Sequence, residues 1–94
     1  MTNPLIEKAE EVIWGEVEDT YRAVRALVIS EMRWRIWPGV VWELRAHARS
    51  KAKEHSLLEA FYKAHSDHLS VKKLSDHHSR ISRRYKLASL ACMD

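Results

Sequence analysis

Apolar residues recur at steps of three and four from the start of the chain, at Ile6, Ala9, Ile13, Val17, Tyr21, Val24, Val28 and Met32. That spacing forms one stripe of an α-helix. Thr2 or Asn3 can cap its start, and Pro4 suits the first helical position. The carboxylates of the opening turns suit the positive end of the helix dipole. Gly15 interrupts the run at a cost of roughly 1 kcal/mol against Ala. It can be a kink, a close contact with a neighbour or a break. The continuous stripe favours a single first arm of about 30 helical residues.

Near Met32 the period changes. Met32, Trp34 and Ile36 alternate with Arg33 and Arg35, and Pro38-Gly39 follows. Proline lacks an N–H and pushes the residue before it out of the α region, so a helix arriving here must stop or kink. A short β-hairpin turning at Pro38-Gly39 is the rival arrangement, though a lone two-stranded hairpin is marginal without support. A second arm then runs through Val41, Leu44, Ala48, His55, Leu58, Tyr62, His65 and Leu69. Its middle, Arg45 to Lys53, holds helix through Ala, Arg and Lys but is poor in large apolar residues, so its face is expected to be exposed. Ser66-Asp67-His68-Leu69-Ser70 has cap or turn character. Leu74, His78, Ile81, Tyr85 and Ala88 make a third stripe beyond it.

The expected fold is therefore all-α and built as a single domain over residues 1–94. A helical hairpin folded at Pro38-Gly39 is joined by a C-terminal helix, as in a three-helix bundle. With 46% hydrophobic residues and four tryptophans there is enough apolar surface for a core. The stripe of the first arm exceeds what the weakly apolar second arm can cover, which points to a homo-dimer. The apolar runs are too short for a membrane span. Met1-Thr2-Asn3-Pro4 lacks the order of a secretory signal. One cysteine, Cys92, excludes an internal disulfide, and a reduced cytoplasm is the expected setting.

Charge is unevenly placed. Residues 1–20 carry six carboxylates against Lys8, a balance of −5, so with +3 overall the other 74 residues balance at +8. An acidic end and a basic body can attract one another, and a basic body can also meet a polyanion.

Candidate chemistry is sparse. Among the six histidines, His65 and His68 stand i, i+3 and could supply two metal ligands, but no Cys motif or second pair completes a set. Two glycines rule out a Gly-rich phosphate loop. Cys92 lies close to the chain end, where fraying would spoil a Cys–His pair. No cofactor and no catalysis are expected. Leu69-Ser70-Val71-Lys72-Lys73-Leu74-Ser75-Asp76 followed by Ser79-Arg80-Ile81-Ser82-Arg83-Arg84-Tyr85 has the look of a helix-turn-helix. It departs from that pattern at Ser79-Arg80, where a small turn residue belongs, and at His77-His78, where an apolar one belongs. One unbroken helix explains the same letters.

Three binding readings follow. Trp and Arg concentrate binding energy at protein interfaces, and Arg33, Trp34, Arg35, Trp37 and Trp42 cluster at the corner. A small regulatory protein docking onto a larger protein there, as inhibitor or adaptor, is the first reading. The second is a nucleic-acid-binding regulator using Arg45, Arg49, Lys51, Lys53, Lys72, Lys73, Arg80, Arg83, Arg84 and Lys86, mainly through phosphate contacts, since Tyr85 alone could stack on a base and single strands are poorly served. A His-rich metal module built on His65 and His68 is the third.

Overall fold

The computed structural model describes residues 4–34, 38–65 and 69–92, and among these the side chains other than those of residues 31–34, 38 and 69. Four helices follow one another: α1 (Pro4–Trp14), α2 (Thr20–Trp34), α3 (Pro38–Ala64) and α4 (Leu69–Ala91). The all-α bundle expected from the stripes is found. No strand occurs among the described residues, and both flanks of the supposed β-hairpin, 32–34 and 38–42, are helical. Pro38 opens α3. That is a position where its missing N–H costs nothing.

The first arm is two helices, contrary to the single long one that its stripe suggests. Three features make the break. Gly15 closes α1 with its N–H on Glu11 O at 2.9 Å, and a Cβ there would lie 2.8 Å from that same oxygen. Asp19 Oδ1 accepts the Arg22 N–H at 3.0 Å, and Asp19 O accepts the Ala23 N–H at 3.1 Å, so Asp19 is the N-cap of α2. Arg84, from α4, donates to Ile13 O at 2.8 Å and Gly15 O at 2.5 Å. It thereby satisfies carbonyls that the end of α1 would otherwise leave without donors.

The core draws on every helix: Leu5, Ala9 and Ile13 of α1, Val24 and Val28 of α2, Leu44, Ala48 and Ala52 of α3, and Ile81, Tyr85, Ala88 and Ala91 of α4. The closest packing is between α3 and α4, which run antiparallel side by side. The middle of α3 therefore takes part in the core, where exposure was expected. Its small side chains make this work, because Ala48 and Ala52 let the two helices approach closely. Hydroxyls tie the contact together. Ser82 Oγ donates to Ala52 O at 2.9 Å, leaving Ser56 Oγ to donate to Ser82 Oγ at 2.7 Å, and Ser75 Oγ reaches Glu59 O at 3.3 Å. Helices α1 and α2 lie against one another and against α4, with α1 also touching α3. The result is an elongated body of 51 × 24 × 22 Å.

Candidate functional site: a basic groove and a part-buried polar cluster

Two groupings of polar side chains stand out, on different faces of α3. The first is part-buried, with Tyr85 and His55 enclosed and Trp14 at its exposed edge. Glu10 of α1 is the common acceptor: Tyr85 Oη donates to its Oε2, His47 Nε2 to its Oε1, and the Trp14 indole N–H to its Oε2 at 2.8 Å. The same indole N–H lies 3.0 Å from Tyr85 Oη. Rings continue the cluster towards the far end of the hairpin. Tyr85 stacks on His55 at 5.7 Å and 10°, His55 Nδ1 meets His78 Nδ1 at 2.8 Å, and His78 stacks on Tyr62 at 5.5 Å and 5°. The Trp14 ring meets His55 edge-on at 5.7 Å.

The environment sets the charges of this cluster. Burial alone would push the Glu10 carboxyl up, but the donors Tyr85, His47 and Trp14 outweigh it and hold Glu10 below its ordinary value. Burial, reinforced by the Glu10 acceptor, raises Tyr85 well above an ordinary phenol, so its proton stays in place. Burial also lowers His55 and His78, helped at His55 by the charge of His78 and at His78 by that of His77. A carboxylate with its donors already committed is suited to fastening α1 onto the α3–α4 hairpin.

A pH dependence follows. For His55 and His78 the folded protein binds a proton less readily than the unfolded chain, whose histidines titrate near 6.5. Their contribution is therefore complete above that value and is lost as the pH falls below it. Glu10 adds a second loss of the same sign below its ordinary 4.5. Urea midpoints measured from pH 7.5 to 4 should fall progressively, and His55→Gln/His78→Gln should flatten the upper part of that fall. A midpoint constant over this range would contradict the assignment.

The second grouping is an open groove of about 640 Å³ between α3 and α4. Arg45, Arg49 and Lys53 of α3 and Lys86 of α4 supply its cations, Ala52 and Leu90 its apolar surface, and Ser56 and Ser89 its hydroxyls. His47 and Arg49 are two residues apart on one helix, about 200° around its axis. The groove and the Glu10 cluster thus occupy opposite sides of α3. None of the four cations makes an ion pair among the described residues. The Arg45 guanidinium lies over the Trp42 ring, 5.2 Å from its centroid. Its Nε is buried without a hydrogen-bond acceptor among the described residues.

The structure sorts the candidates from the sequence. Trp42 is 64% exposed at the start of α3. Arg33 and Trp34 belong to the last turn of α2 with undescribed side chains, while Arg35 and Trp37 lie outside the described residues. Of the basic set, Arg45, Arg49, Lys53 and Lys86 meet in the groove. Lys51 pairs with Glu54 at 3.3 Å, and Arg84 is committed to the end of α1. Lys72, Lys73, Arg80 and Arg83 are exposed along α4. That helix runs unbroken from Leu69 to Ala91, so the turn of a helix-turn-helix is absent from it. Tyr85, the one residue of that basic helix able to stack on a base, is only 1% exposed and cannot receive one.

His65, placed in the core stripe by its spacing, is exposed, and its Nδ1 bonds Phe61 O at 2.8 Å. His68 lies outside the described residues. No group of three or more metal-binding side chains converges among the described residues. Cys92 is buried rather than frayed, and burial pushes its thiol up to about 11 against the pull of Arg45. No described helix is long and apolar enough to cross a membrane. Set against known proteins, the chain matches no family model, no curated protein and no solved structure.

Proposed function

We propose that the protein acts by binding, without catalysis, and docks a larger protein partner through the start of α3. The observation that carries this reading is Trp42, a large aromatic ring left 64% exposed on a helix, with the Arg45 guanidinium laid over it. Trp and Arg are the residues that most often dominate interface energetics, and a ring held by a neighbour loses little freedom on binding. The burial of Tyr85 leaves α4 without a ring on which a single-stranded base could stack, which favours a protein partner over a single strand.

The test is capture from an extract of the native host on the immobilised protein, with and without nuclease. A specific protein should be retained after nuclease treatment. Trp42→Ala should weaken its binding by about 2 kcal/mol or more, as for an interface hot spot. Because Trp42 is exposed, the same change should leave the melting temperature nearly unchanged. Retention that disappears with nuclease would replace this reading with nucleic-acid binding.

A further inference from the structure

We infer that the groove between α3 and α4 receives an acidic amphipathic helix of the partner. This assignment rests on the protein-docking reading above and names the chemistry that the partner presents. An antiparallel helix pair has two long sides. Here α1 and α2 fill one, with Glu10 bonded to His47 and Arg84 bonded to the end of α1. The side marked by Arg49 and Lys53 is open.

Shape argues for a helix. Ala52, Ser56 and Ser89 are small, so a third helix can settle between α3 and α4 at an ordinary packing distance of roughly 8–10 Å. From Arg45 to Ser56 the groove runs for about 16 Å at 1.5 Å per residue, the length of three helical turns. The described residues contain no strand and so no sheet edge onto which an extended peptide could add.

Charge argues for an acidic occupant. Arg45, Arg49, Lys53 and Lys86 surround the apolar Ala52 and Leu90, and no carboxylate lines the groove. A helix with Leu on one face and Glu at its flanks matches that arrangement in both parts. Arg45 Nε has no acceptor among the described residues, and a carboxylate of the occupant would supply one. A duplex is a poorer match, since its phosphates would meet the rim cations while leaving the apolar surface uncovered.

The probe is a synthetic 15-residue helical peptide with Leu and Ala along one face and Glu along both flanks, labelled for fluorescence anisotropy. It should bind the full-length protein with an affinity that falls as salt rises. Arg49→Glu/Lys53→Glu, both exposed and so compatible with folding, should weaken it about tenfold or more. The same variant should gain affinity for a matched peptide with Lys in place of Glu. A wild-type protein that ignores the acidic peptide, or binds it equally well after the double reversal, overturns the inference. So does preferential binding of an equally labelled DNA duplex or of anionic lipid vesicles in the same assay. If nuclease-resistant, Trp42-dependent capture persists while the peptide fails, the groove assignment alone is wrong. If capture itself depends on nucleic acid, the docking reading has failed.

Discussion

Tyr85→Ala should lower stability by about 4 kcal/mol, the size expected for deleting an aromatic side chain from a core. Among the described residues Tyr85 is the largest of the fully buried side chains, and its hydroxyl bonds Glu10 and Trp14. Its ring also lies flat on His55 and edge-on to His47 at 6.2 Å. For a domain of this size the melting temperature should drop by roughly 15–30 °C. Tyr85→Phe separates the two contributions. It keeps the ring but withdraws the O–H from Glu10, which retains His47 and Trp14. A loss of about 1–2 kcal/mol is expected there. Equal effects of the two substitutions in urea titrations would show that the hydroxyl, and not the packing, dominates this site.

Arg84→Ala should cost about 2–3 kcal/mol, because one guanidinium serves two main-chain carbonyls at the end of α1. The effect should be local as well as global. Amides of residues 5–15 should exchange faster in Arg84→Ala, while those in the α3–α4 contact keep their protection. Arg84→Lys, which offers a single point charge without the planar fork, should recover only part of the loss. Uniform loss of protection across all helices would mean that Arg84 does not act on α1 in particular.

The helical class was legible because the stripes of α3 and α4 are long and regular. The first arm misled because its stripe continues through residues 15–19 as if they were helical. Ile13, Val17 and Tyr21 keep the helical period although Val17 lies in the connection. Asp19 carries the signal for the second start, an Asp four residues beyond Gly15, but without the Glu or Gln that would complete a capping box. The third feature of the break, Arg84, lies 69 residues from Gly15 and has no local sign.

The candidate site divides in the same way. Trp42 and the basic character of α3 can be read from composition. The meeting of Arg45, Arg49 and Lys53 with Lys86 depends on the antiparallel register of two helices, set by Ala52, Ser56 and Ser82. The Glu10 cluster was hidden because Glu10, His47 and Tyr85 come from three helices. Only Tyr85 stood on an apolar stripe, where a hydroxyl must find a partner when buried.

Hydrogen exchange of the protein with and without its captured partner tests the central claim most directly. The docking account predicts that binding slows exchange in the segments covering residues 42–56 and 83–90, with α1 and α2 little changed. Protection confined to residues 69–80 of α4, or to α1 and α2, would contradict it.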